Sequence, residues 1–169
     1  KLKSIQIPEL QKELSPIVFG CDNQINEVHA FAMFDYFYSQ GGKIFDTAYI
    51  YNNGLSDRYL GNWINSRNLN DVVVLGKGAH TPDCIPEKIK PQIEESLSRG
   101  NISKLDIYCL HRDNQEIPVS EFIDALNECK DQGLIEVLGA SNWELERFKS
   151  ANDHADEVKK TGFKVLSNN

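Results

Sequence analysis

Short, wholly apolar runs alternate along this chain with longer stretches whose apolar residues recur at helical spacing. Ile17–Cys21 (IVFGC) is the first run, followed by Glu27–Gln40, where Val28, Phe31, Ala32, Phe34, Tyr36 and Phe37 form a broad apolar helix face. Gly41-Gly42 suits the left-handed close of that helix, and Lys43–Asp46 reads as the next strand. Ser56 is placed to cap a helix through Asn65 that carries Leu60, Trp63 and Ile64 inward. The pattern then repeats. Val72–Leu75, Leu105–Leu110, Ile135–Ala140 and Phe163–Leu166 read as strands, and Glu87–Ser98, Val119–Gln132 and Trp143–His154 as the helices between them.

Strands apolar on both faces, each followed by a helix, predict a parallel sheet covered by helices. Two architectures satisfy that pattern, an open doubly wound sheet and a closed (β/α) barrel. The first apolar run is followed by Gly20-Cys21-Asp22-Asn23, with neither a G-x-G-x-x-G turn nor a phosphate-binding P-loop. The barrel is therefore the better expectation.

Composition narrows the function classes. At 169 residues, 40% hydrophobic and 25% charged, the chain can bury a sizeable core. The net charge of −7 repels nucleic acid. No apolar run approaches the roughly 20 residues of a membrane span, and the first ten residues lack a signal-peptide pattern, so a cytoplasmic protein is expected. Cys21, Cys84, Cys109 and Cys129 are too scattered for a metal knuckle, and Cys109 and Cys129 read as core residues.

The chemistry lies in how the strands end. The second closes on Asp46, the third runs into Lys77, the fourth reaches His111 and the fifth Ser141-Asn142. In a (β/α) barrel these ends form one mouth, where chemistry gathers. Tyr51, five residues after Asp46, can fold back toward that acid, with Lys77 between them. A phenol ordinarily titrates near ~10, and a neighbouring ammonium favours its ionised form while a carboxylate keeps the ammonium charged. Tyr51 then reads as a general acid, with His111 orienting a carbonyl oxygen.

Asp46 within FDTA, Tyr51, Lys77 closing VVVLGK and His111 closing LDIYCLH resemble the catalytic tetrad of the aldo-keto reductases, and Ser141-Asn142 in GASNW resembles that family's nicotinamide-carboxamide pair. The resemblance runs from about Val18 to the chain end. It implies a (β/α)8 TIM-type barrel that reduces aldehydes or ketones with NADPH, or alternatively NADH: hydride passes from nicotinamide to the carbonyl carbon and Tyr51 protonates the oxygen. The family's carboxamide-contacting Gln falls here on Ser167, or on Asn168 if the register differs by one. Only about six of the eight strand-helix units are present, so residues 1–169 read as one C-terminally incomplete barrel domain. The resemblance also implies a small carbonyl or alcohol substrate as partner.

Around the mouth, Cys21, Tyr49 and Trp143 are expected to line the substrate pocket, whereas His29, His80 and His154, none of which closes a strand, are set aside as structural. No metal ligands are expected. Two other readings stay open: a Schiff-base lyase or aldolase with Lys77 as nucleophile, which leaves Ser141-Asn142 without a role, and a cofactor-binding regulatory module with little turnover.

Overall fold

The computed structural model describes residues 4–168. Six parallel strands occur in chain order across one sheet: β1 (Val18–Gly20), β2 (Ile44–Asp46), β3 (Val73–Gly78), β4 (Leu105–Leu110), β5 (Ile135–Ser141) and β6 (Val165–Ser167). Between them lie α1 (Glu27–Ser39), α2 (Leu55–Arg67), α3 (Pro86–Gly100), α4 (Val119–Asp131) and α5 (Leu145–Glu157), with a 3₁₀ turn at Tyr51–Gly54 leading into α2. The result is a partial (β/α)8 barrel. No described helix is long and apolar enough to cross a membrane.

Two hydrophobic layers hold the sheet. On its helix-covered face, Phe45, Val74, Leu110, Leu138 and Ala140 pack with the helices, and Phe19, Phe34, Phe37, Phe45 and Trp63 meet ring on ring, for example Phe34 and Phe45 edge to face at 5.4 Å. The opposite face is lined by Ile44, Val73, Leu75, Ile107, Cys109 and Val137, with Leu10 and Leu14 against them. Those two leucines belong to an N-terminal segment closed by the Ile5–Leu14 bridge. Lys12 anchors it by an ion pair to the buried Asp106 at 2.9 Å, whose other oxygen accepts from the Val74 amide at 2.8 Å. That segment covers the end of the barrel interior opposite the polar strand ends.

Some boundaries differ from the sequence expectation. β3 continues past Leu75 through Gly78, because Lys77 and Gly78 still pair with Cys109 and Leu110; Lys77 thus stands on the strand itself. Ser56 does not cap α2. Gly54, left-handed at φ 91°, occupies that position, and the Ser56 hydroxyl donates instead to the Cys21 carbonyl at 2.5 Å. A cleft of about 910 Å³ lies beside β1, lined by Ile17, Phe19, Met33, Tyr36 and Phe37. It shares no residue with the polar strand ends.

Helices α2 and α3 meet backbone to backbone at Gly61 and Gly100. A methyl group at Gly61 would stand 2.0 Å from the Gly100 carbonyl oxygen, a backbone atom that cannot rotate aside. Gly61→Ala should therefore destabilise the fold by about 1–3 kcal/mol through overpacking, where alanine on an unobstructed helix would instead gain up to about 1 kcal/mol. A denaturation midpoint equal to wild type would show that the helices separate at no cost.

Candidate active site

Period-two alternation carries the inner apolar layer directly into the polar groups. Ile44 leads to Asp46, Val73 and Leu75 to Lys77, Ile107 and Cys109 to His111, and Val137 and Gly139 to Ser141. Each polar residue continues the interior-facing series of its own strand at the C-terminal end. The strands that build the core therefore also aim the chemistry, and polar strand ends follow from the side-chain period rather than contradicting it.

Tyr51 arrives from the 3₁₀ turn. The Lys77 ammonium is 2.5 Å from Asp46 Oδ1 and donates to the Tyr51 hydroxyl at 2.9 Å. Because Lys77 is the donor, the phenol keeps its own O–H to give elsewhere. Lys77 is only 5% exposed. Burial pulls its ammonium down, but the Asp46 carboxylate, followed by the Tyr51 hydroxyl, more than offsets this and leaves Lys77 above its ordinary value. Burial in turn holds the Asp46 carboxyl above the usual range despite the ammonium beside it.

The His111 ring meets Tyr51 edge to face at 5.7 Å. Burial first, then the charges of Lys77, His80 and Arg112, push His111 down to about 3, so the site presents a neutral imidazole. Its Nδ1 is buried with no hydrogen-bond partner among the described residues. His80, which closes no strand, nevertheless lies with its ring 4.8 Å from His111 at nearly a right angle. Its place three residues beyond the strand-borne Lys77 was the available signal.

On the β5–β6 side, the Ser141 hydroxyl donates to the Ser167 carbonyl at 2.8 Å, and the Asn142 amide reaches the Ser141 hydroxyl at 3.0 Å and the His111 carbonyl at 3.4 Å. Ser167 pairs with Ser141 in the ladder. Asn168, one residue past β6, donates to the Trp143 carbonyl at 2.8 Å.

Three expected pocket residues lie elsewhere. Cys21 is wholly buried in the aromatic core behind the mouth, where burial also raises its thiol. Tyr49 turns toward α3: its hydroxyl donates to Glu95 at 2.7 Å and Arg99 covers its ring at 4.3 Å. Trp143, 1% exposed, is packed between Phe122 and Phe163. In each case apolar burial or a charged partner on the helix layer outweighs the short distance along the chain to a site residue.

The structure resembles the glycerol dehydrogenase AKR11B4 from Gluconobacter oxydans (TM-score 0.82, 19% identity, covering 98% of this chain and 54% of that one). It also resembles the aldo-keto reductase AKR11C1 from Bacillus halodurans in its holo form (TM-score 0.80, 24% identity, 99% of this chain and 57% of that one). In sequence, the chain is 29% identical to norsolorinic acid reductase B of Dothistroma septosporum over 88% of its length and 44% of the relative's. It is 26% identical to an NADP(+) aryl-alcohol dehydrogenase of Phanerodontia chrysosporium over 80% of this chain and 40% of the relative. The chain spans under half the length of these curated relatives. The sequence model of the Aldo/keto reductase family matches residues 17–169, and with the strand-end geometry behind it, this chain belongs to that family.

Proposed function

We propose that this chain carries the catalytic groups of an oxidoreductase that reduces aldehydes or ketones to alcohols with NADPH. The observation that supports this best is the shared ammonium: Lys77 bridges Asp46 at 2.5 Å and the Tyr51 hydroxyl at 2.9 Å inside the barrel mouth. Tyr51 is the proton donor, releasing its O–H to the substrate oxygen while Lys77 steadies the charge that develops on the phenol and Asp46 keeps Lys77 protonated. His111, neutral, donates a hydrogen bond that fixes the carbonyl oxygen beside Tyr51. Ser141, Asn142 and Ser167 offer uncharged hydrogen-bonding groups at the ends of β5 and β6, with Asn142 reaching His111, a set that fits the neutral carboxamide of a nicotinamide. When bound, the cofactor supplies the hydride. NADPH is preferred over NADH on the strength of the relative named for NADP(+).

The raised Lys77 also weighs against the Schiff-base alternative, since a lysine acts as nucleophile only when its ammonium is destabilised. The deciding experiment follows NADPH absorbance in the full-length protein with a panel of aromatic and aliphatic aldehydes. Steady consumption supports the reductase. Cofactor binding without consumption indicates a regulatory module, and borohydride trapping of substrate on Lys77 indicates a lyase.

The neutral imidazole has its own test. His111 should stay unprotonated from about pH 8 down to about pH 4, so its NMR ring signals should not move over that span. Because the unfolded chain takes up this proton near ~6.5 and the folded chain only near about 3, the contribution of His111 to stability is complete above ~6.5. It declines as pH falls below that point. Ring signals titrating near the ordinary histidine value would contradict the buried environment.

A further inference from the structure

A buried carboxylate outside the tetrad ties together the loop that delivers Tyr51. Asp57, on the first turn of α2, is 5% exposed. It accepts from the Thr47 hydroxyl at 2.8 Å and from the Ser96 hydroxyl of α3 at 2.8 Å. Burial lifts its carboxyl above the ordinary range against the pull of Thr47, Ser96 and Arg99. Arg99 of α3 lies 3.4 Å from Asp57 and donates to the Tyr49 carbonyl at 2.8 Å. On the other side, the amides of Thr47 and Tyr49 donate to the Leu75 and Lys77 carbonyls of β3, each at 2.8 Å.

Thr47 and Tyr49 are the alternate residues between Asp46 and Tyr51, so both contacts fall inside the segment that sets the separation of the acid and the phenol. The glycines nearby let this arrangement close. A side chain at Gly54 would stand 2.6 Å from the Arg99 guanidinium carbon, and the Gly61–Gly100 contact brings Asp57 within reach of α3.

We infer that Asp57, with Thr47 and Arg99, is a positioning centre: it clamps residues 47–51 between β3 and α3 and thereby holds the Tyr51 hydroxyl at Lys77. The inference rests on Tyr51 being the proton donor. Asp57 itself touches neither the Tyr51 hydroxyl nor Lys77 and acts only through the loop. Misplacing a reacting group by about 1 Å can cost on the order of 10²-fold in rate, so a loosened clamp should reduce turnover and leave cofactor binding on the β5–β6 side intact.

The test uses Thr47→Val, which keeps the shape of threonine and removes the hydroxyl, Thr47→Ser, which restores it, and Asp57→Asn, all in the full-length protein. Thr47→Val should raise amide exchange across residues 47–52 at least ~10-fold with β4 unchanged, and lower kcat by ~10-fold or more at constant cofactor affinity. Asp57→Asn should act in the same direction, and Thr47→Ser should match wild type. Wild-type exchange and kcat in Thr47→Val would overturn the clamp, as would equal losses in Thr47→Ser and Thr47→Val. Faster exchange with unchanged kcat would overturn the link to Tyr51. Exchange is read without turnover, so the clamp can fail or stand separately from the reductase reading, which fails if wild type reduces no carbonyl.

Discussion

Replacing Tyr51 by phenylalanine should lower carbonyl reduction by about 10²–10⁴-fold, the range expected when a positioned proton donor is removed, while NADPH affinity stays at the wild-type value. Phenylalanine keeps the ring that meets His111 edge to face and lies 4.8 Å beneath the Lys77 ammonium. Only the hydroxyl is lost, and Lys77 retains its ion pair with Asp46. The measurement is steady-state NADPH consumption with one aldehyde, beside cofactor titration by fluorescence quenching. Tyr49→Phe is the matched control: its hydroxyl is engaged by Glu95 on the helix layer, so it should change kcat by no more than about 2-fold, in keeping with a surface position. Tyr51→Phe with most of its activity left would remove the proposed donor.

Why Tyr51 and not Tyr49 carries that expectation shows what the sequence could and could not reveal. Strand order, the parallel sheet and the four polar strand ends were legible, because apolar runs on two-residue period reach Asp46, Lys77, His111 and Ser141 in step. The loops were less so. Tyr49 and Tyr51 share a parity, but Ile50 between them leaves the extended conformation at φ -90°, ψ -12°, so strand alternation no longer aims the two rings alike. Trp143 and Cys21 were misplaced for a related reason: adjacency to a site residue says nothing of which layer a side chain enters, and apolar burial sends both into the core.

Asp57 could have been found. It occupies a helix with Leu60, Gly61 and Ile64 at three-, four- and seven-residue spacing, the interior stripe of α2. An acid on such a stripe needs partners, and Thr47, Ser96 and Arg99 provide them. Their identities required the fold, since Ser96 and Arg99 lie about forty residues farther along the chain.

Lys77→Met should abolish reduction to at least the extent of Tyr51→Phe, and unlike that variant it should also cost stability. Methionine fills the space of the stem but leaves Asp46 without its cation. Breaking a buried pair from one side costs about 3–5 kcal/mol, and the lower end applies here because Asp46 is still 22% exposed and can take a proton. The pH dependence follows from that escape. Burial already holds the Asp46 carboxyl above its usual value with Lys77 present; without the ammonium it rises further, so the folded variant binds a proton the unfolded chain releases near ~3.9. Its stability should therefore fall as pH rises above that point, and the deficit against wild type should shrink in acid. On the alkaline side, the raised Lys77 stabilises wild type at all pH below ~10.4, the unfolded lysine value, and that contribution is lost as pH climbs through the higher folded value. Adding Asp46→Asn removes the stranded charge, so the double variant should regain most of the stability lost by Lys77→Met and none of its activity. Recovery of both together would mean that the ion pair serves the fold alone; recovery of stability by itself assigns the ammonium to Tyr51.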